Sequence, residues 1–265
     1  MRISFIILTW NSESYINDCI SSIIEKCEEE RIVYEILVVD NGSTDKTKDI
    51  LMKYKNQITI ILLKKNHGTT YPRNLALRKA KGDIICFLDS DAILKRGKLK
   101  LLCQKLFSSD DIGIIAPRLI LPDGSIQRSV KKFPLIFEKL LKLQKIFLGI
   151  EPKRNEYYKS LPLDKEVTID SAISACWFFR KDLIKVADYL DEKIFYSPED
   201  LDYCLTVWKR GKKVLYYPFF EVLHYTQQTS HKNSLILLHH FIGLLYYFVK
   251  HRYIFKRPKY GEWEN

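Results

Sequence analysis

Short apolar runs alternate with amphipathic stretches along the first third of the chain. Ile3–Leu8, Ile36–Val39, Ile58–Leu63 and Ile84–Leu88 are nearly uninterrupted apolar blocks, the pattern of strands buried on both faces of a parallel sheet. Between the first two, Cys19, Ile20, Ile23 and Ile24 share one face of a helix predicted from about Ser12 to Cys27. Gly42 supplies a turn after the second block, and Ser43 or Thr44 can cap a helix running to about Tyr54. Pro72 stands where a third helix begins, with Leu75, Ala76 and Ala80 following at helical spacing. The resulting β-α-β-α-β-α-β order predicts an α/β chain, a doubly wound, mostly parallel sheet with helices on both faces.

The pattern becomes less regular after about residue 110. Ile112–Ala116 and Arg118–Leu121 read as short strands, and Pro122-Asp123-Gly124-Ser125 as a hairpin turn into Ile126-Gln127-Arg128. Phe133–Leu148 reads as an amphipathic helix carrying Lys139, Lys142 and Lys145, and Glu151–Lys159 as a polar loop. Ala172–Phe179 is expected to be one buried strand, Pro198–Arg210 a helix, and Val214–Tyr217 and Glu221–His224 two short strands. No internal repeat and no Gly/Ser-rich linker interrupts the chain. The expected organisation is one domain over residues 1–230, in halves 1–110 and 111–230, with a helical extension over 231–265.

Charge changes this picture mainly at the C-terminal end. The formal net charge of +11 asks for an anionic partner: nucleic acid, an acidic membrane or a phosphorylated substrate. Residues 205–265 hold ten Lys/Arg against three Glu, a surplus of seven. Lys232 precedes the apolar stretch Leu235–Val249, and Lys250, Arg252, Lys256, Arg257 and Lys259 follow it, with Tyr246, Tyr247, Tyr253 and Phe255 at the border. That arrangement suits the surface of an anionic membrane. The alternative is a helix packed on the domain, or in a homodimer. With His239 and His240 inside it, the stretch falls short of the ~20 apolar residues that span a bilayer, so no transmembrane helix is expected. The run Ile3–Leu8 is too short for a secretory signal. Six scattered cysteines without a CxxC pair read as reduced, buried thiols of a cytoplasmic protein, peripheral on the inner membrane face if the tail binds lipid. An apolar content of 46% beside 28% charged residues excludes disordered and low-complexity classes.

Candidate chemistry gathers where the apolar blocks end. In an open parallel sheet, ligands bind beyond the carboxyl ends of the strands. Here those ends read Thr9-Trp10-Asn11, Asp40, and Asp89-Ser90-Asp91. In the last of these, one carboxylate can face a hydroxyl-rich ligand and the other a hard divalent cation. Asp40 and Asn11 can also serve as plain helix or turn caps. Further on, Glu199, Asp200 and Asp202 stand at a predicted helix start, where carboxylates are favoured by the dipole alone.

Read together, these pieces resemble the family 2 glycosyltransferases, which have the GT-A fold. The resemblance rests on Ile6-Ile7-Leu8-Thr9-Trp10-Asn11, on Val38-Val39-Asp40-Asn41-Gly42-Ser43-Thr44-Asp45, on Arg73-Asn74 with Ala80-Lys81-Gly82-Asp83, and on Phe87-Leu88-Asp89-Ser90-Asp91. It continues through Leu121-Pro122-Asp123-Gly124-Ser125-Ile126-Gln127, Phe133-Pro134, Glu199-Asp200-Leu201-Asp202 and Val222-Leu223-His224, in the manner of the rhamnosyltransferase-like branch. It spans roughly residues 3–230. It implies a nucleotide-binding half over 1–110, an acceptor half over 111–230 with a small antiparallel part, and inverting sugar transfer in surface polysaccharide synthesis.

The donor implied is a dTDP-, UDP- or GDP-linked sugar, the cofactor Mg2+ or Mn2+, and the acceptor a glycan or a lipid-linked sugar. Thr9, Asn11, Asp40 and Arg73 would line the nucleotide pocket, with Asp89 and Ser90 facing the ribose or sugar. Asp91 and His224 would hold the metal. Asp200 would be the general base and Glu199 its neighbour in orienting acceptor and base. Two departures stand out: Ser174-Ala175 where the family has Gly-Ala, and Tyr225-Thr226-Gln227-Gln228 where relatives place a glycine after the histidine.

Other classes fit less well. A sugar-phosphate nucleotidyltransferase needs a Gly-rich loop with a basic residue after the first strand, and Thr9-Trp10-Asn11-Ser12-Glu13 has neither. A glycoside hydrolase uses paired carboxylates without a nucleotide edge. A basic nucleic-acid-binding module would show a recognisable motif, and none is present.

Overall fold

In a computed structural model, the structure describes residues 1–138, 164–226, 234–253 and 256–262. Four strands, β1 (Arg2–Thr9), β2 (Val33–Asp40), β3 (Thr59–Leu62) and β4 (Ile84–Asp89), pair in parallel in the order β3-β2-β1-β4. Their continuous apolar runs follow from burial on both sides. Ile3, Phe5 and Ile7 enter one core, while Ile6 enters the other. The same alternation sends Ile84, Cys86 and Leu88 to the first core and Ile85 and Phe87 to the second. Helices α1 (Ile16–Glu29), α2 (Thr47–Lys53) and α4 (Leu99–Phe107) cover the first face, and α3 (Thr70–Lys79) packs on the second. The predicted doubly wound sheet is therefore present.

Beyond β4 the sheet becomes mixed. The edge strand β5 (Ala92–Leu94), which pairs antiparallel with Val222–His224, and α4 escaped the sequence reading. Ile112–Ile120 forms one strand, β6, through Pro117, where two were expected. After a short pair, β7 (Val130–Lys131) with β9 (Ser171–Ala172), and the bridging β8 (Val167–Thr168), comes β10 (Cys176–Arg180). β10 lies antiparallel between β4 and β6. The single strand expected over Ala172–Phe179 is thus two strands in two sheets, because the chain turns at Ile173–Ala175 to bring Ser174 under the strand ends. Lys213–His224 is likewise one long strand, β11, which shifts register between Tyr217 and Glu221 to pass from Tyr217 opposite Pro117 to Glu221 opposite Arg118.

Helix α5 (Leu183–Ala187), helix α6 (Glu199–Lys209) and the tail helix α7 (Ser234–His251) complete the second face. The extension expected over 231–265 therefore packs on the domain, through Leu244, Tyr247 and Phe248. Trp177 is fully buried and stacks on Tyr203, so it serves the core. All six cysteines are free and buried. Most of the helix expected over Phe133–Leu148, and the loop over Glu151–Lys159, lie outside the described residues.

Candidate active site

The register of the parallel strands brings the polar strand ends to one edge. Thr9 sits opposite Asp40, and Leu8 opposite Asp89. In front of this edge lies a cavity of about 620 Å3 whose walls also come from α3, from Phe195–Ser197, from the start of α6 and from the end of β11.

Thr9 and Asp40 are buried behind the wall rather than on it. Asp40 Oδ2 accepts from the Ser43 backbone N–H at 3.2 Å, whereas Asp40 Oδ1 and Thr9 Oγ1 are buried with no hydrogen-bond partner among the described residues. Unpaired buried oxygens are costly. Asn11 adopts a left-handed φ of 51° and accepts the Thr44 backbone N–H on Oδ1 at 2.8 Å, while its own N–H donates to Ser43 Oγ at 2.9 Å. It stitches the loops after β1 and β2 together. The lining here comes instead from Trp10, Ser12, Asn41 and Asn66, to which the motifs assigned no role of their own. Asn41 receives the His67 N–H at 2.8 Å and donates to the Gly68 carbonyl at 2.8 Å, fixing the next loop.

Arg73 is the hub of the floor. Only 3% exposed, its Nη2 donates to Asp89 Oδ1 at 2.7 Å and its Nη1 lies 3.3 Å from Glu199 Oε1. Nη1 also donates to Ser174 Oγ at 2.8 Å, and that hydroxyl donates to Glu199 Oε1 at 2.9 Å. The guanidinium sits 5.4 Å from the centroid of the Phe87 ring. A rigid planar fork with charge-assisted bonds to two carboxylates suits arginine rather than lysine. Ser174, the residue that departs from the family pattern, supplies the hydroxyl that closes this network. A glycine there would leave the Glu199 contact to Arg73 alone.

Asp89, Asp91 and His224 converge on one point, their candidate ligand atoms all within 4.8 Å of one another. His224 Nε2 lies 3.4 Å from Asp91 Oδ1, and Nδ1 is 2.8 Å from Gln127 Oε1. Burial would lower the His224 pKa, but the facing Asp91 and Asp89 carboxylates outweigh it and hold the imidazole above its ordinary value. Two hard carboxylates and an imidazole, oriented from behind by Gln127, are a donor set that fits Mn2+ or Mg2+. Ser90, by contrast, turns to Ser12, with their hydroxyls 2.8 Å apart.

Glu199 and Asp200 open α6, at the favourable end of its dipole, and both line the cavity. Burial first, then the neighbouring Asp200 charge, lift the Glu199 carboxyl to about 7, with Arg73 and Ser174 pulling the other way. Asp200 Oδ2 stands 3.9 Å from Lys131 Nζ, and Oδ1 accepts the Leu201 N–H at 2.8 Å. Asp202 does not line the cavity and pairs instead with Lys250 and His251 of the tail helix.

The sequence model described as "Glycosyl transferase family 2" matches residues 4–186. The chain is 38% identical over 103 residues to the poly(ribitol-phosphate) beta-N-acetylglucosaminyltransferase TarS of Staphylococcus aureus strain Mu50, a match covering 38% of this chain and 18% of TarS. The crystal structure of S. aureus TarS 1-349 in complex with UDP-GlcNAc superposes with a TM-score of 0.58 at 21% identity, covering 90% of this chain and 66% of that one. The structure of GalNAc-T7 with UDP, GalNAc and Mn2+ superposes with a TM-score of 0.63 at 15% identity, covering 85% of this chain and 44% of that one. The fold is the GT-A type of these neighbours.

Proposed function

Because this chain belongs to glycosyl transferase family 2, we propose that its cavity transfers a sugar from a UDP-linked donor to a hydroxyl of a glycan or lipid-linked acceptor in surface polysaccharide synthesis, with inversion at the anomeric carbon. The observation that carries this reading is the meeting, across one cavity of about 620 Å3, of a carboxylate–imidazole metal set with a pair of carboxylates at a helix N-terminus. Hydrolysis alone would need only the second pair. UDP is preferred over dTDP or GDP because UDP and UDP-GlcNAc occupy neighbours of this fold. The polyanionic acceptor named for TarS is also compatible with a net charge of +11.

On this reading Thr9, Asp40 and the Asn11–Thr44 clasp hold the nucleoside, and the two orphaned buried oxygens recognise its base. Asp89, fixed by Arg73, orients the ribose or donor sugar. Asp91 and His224, with Asp89, would hold the divalent ion, which as a Lewis acid offsets the negative charge of the departing diphosphate. The acceptor oxygen attacks the anomeric carbon as the bond to the diphosphate oxygen breaks. Asp200 takes the acceptor's proton, at the face opposite the leaving group. Glu199, anchored by Arg73 and Ser174, positions Asp200 and the acceptor.

The test is transfer from a panel of sugar nucleotides with Mn2+, using NMR to read the product's anomeric configuration. Asp200→Asn should keep donor binding within a factor of about two, yet lose transfer by about a hundredfold or more. Full turnover in that variant would refute the base assignment, and a retained anomeric configuration would refute inversion.

A further inference from the structure

The tail helix presents two different faces. Leu244, Tyr247 and Phe248 are buried against the domain, while Leu238, Phe241, Ile242, Leu245 and Val249 are 44–75% exposed. Their spacing (three, one, three and four residues) places all five on one stripe along the helix. Isolated exposed apolar side chains are ordinary, but five large ones in a single stripe are not. The helix carries no acidic residue in its first turn and ends in Lys250 and His251. Beyond the stripe's C-terminal end, Arg252 and Lys256 are exposed. No helix among the described residues is long and apolar enough to cross a membrane.

We propose that this stripe is a docking surface for an anionic lipid bilayer, on which the helix lies in the interface plane. An apolar stripe that ends in exposed cations matches acyl chains beneath anionic headgroups, and a protein partner would need acids only at that one end. The stripe is held in position before binding. Lys250 Nζ and His251 Nε2 reach the two Asp202 oxygens at 2.8 and 2.9 Å, and Tyr246 and Lys250 both reach Asp191. Little ordering entropy is therefore left to lose on docking.

The helix also borders the cavity. His239 stacks on Phe195 with ring centroids 4.2 Å apart, and Gly243 packs so closely that a Cβ there would lie 2.2 Å from the Ser197 carbonyl oxygen. Phe195 and Ser197 line the cavity. Resting on the transferase reading, this neighbourhood places a lipid-anchored acceptor beside Asp200. The docking itself does not depend on that reading.

Vesicle co-sedimentation of the full chain tests the proposal without any substrate. Binding is expected to phosphatidylcholine–phosphatidylglycerol vesicles, with at least about tenfold weaker binding to phosphatidylcholine alone and a decline with added salt. The triple change Phe241→Ser, Ile242→Ser, Leu245→Ser touches only exposed positions and should abolish binding. Val249→Glu, at the most exposed position, should weaken it about tenfold, and Arg252→Glu with Lys256→Glu should remove the preference for anionic lipid. Absence of wild-type binding to anionic vesicles, or equal binding by the triple variant, would overturn the proposal. So would a wild-type dimer in light scattering that the triple variant abolishes while neither form binds vesicles. An inactive enzyme that still sediments with anionic vesicles would count against the transferase reading alone.

Discussion

Asp202 and His251 meet in the protein interior, with His251 Nε2 2.9 Å from Asp202 Oδ1 and each side chain no more than 4% exposed. The contact ties the tail helix to the same helix that presents Glu199 and Asp200 to the cavity. The other Asp202 oxygen takes Lys250 at 2.8 Å. Removing one partner of a buried hydrogen bond leaves the other unsatisfied, which costs more than the bond itself contributes. Asp202→Ala should therefore lower the unfolding free energy by about 2 kcal/mol in urea titration, and Asp202→Asn by less. An unchanged midpoint in the alanine variant would show that the tail is not clamped through this residue.

Glu199 gives a signed pH dependence. Its carboxyl is lifted from an ordinary 4.5 to about 7, chiefly by burial. A carboxyl that holds its proton more tightly in the native state contributes fully below the unfolded value, and that contribution is lost as pH rises through the folded value. The stability of the native protein relative to Glu199→Gln should fall by about 3 kcal/mol between pH 4.5 and a little above 7. Urea denaturation of both proteins across that range reads it directly. A flat difference would place the Glu199 pKa near its ordinary value.

Mn2+ titration in the presence of UDP should raise the melting temperature, and a chelator should reverse the rise. Asp91→Asn and His224→Ala should each remove most of the effect. Gln127→Leu keeps all three donors but releases the bond that orients His224, so it should weaken Mn2+ binding by about tenfold. Equal affinity in Gln127→Leu would show that His224 is oriented by packing alone.

In an exposed helix interior, alanine in place of glycine stabilises by about 1 kcal/mol. Gly243→Ala should do the opposite here, because the new Cβ would fall 2.2 Å from the Ser197 carbonyl oxygen, an atom of the backbone. A loss of about 1–3 kcal/mol by thermal or urea unfolding is expected. Stabilisation would mean that the helix and the Phe195–Ser197 wall can separate without cost.

Much of the N-terminal half was legible because its signals are local. A strand buried on both faces must be apolar throughout, and the first polar residue after it marks the strand's end, as at Thr9, Asp40 and Asp89. Breaks and joins in the chain were not legible. Pro117 reads as a boundary between two strands, yet β6 runs through it while its partner β11 shifts register nearby. The run Ala172–Phe179 reads as one strand, since nothing in its hydropathy shows that Ser174 is drawn under the cavity by Arg73 and Glu199.

The sequence by itself determined the alternation of strand and helix, the carboxyl-end edge with its carboxylates, and the family, since each depends on residue order over short spans. Only the tertiary structure decided what the charged residues do. It joins Arg73 to Glu199, Gln127 to His224, and Asp202 to His251, pairs separated by 126, 97 and 49 positions. It also decided that one face of the tail helix is buried and the other bare. The reason is physical: local periodicity states which residues need burial or a partner, but the partner itself is whichever group the packed sheet and helices bring within hydrogen-bonding distance.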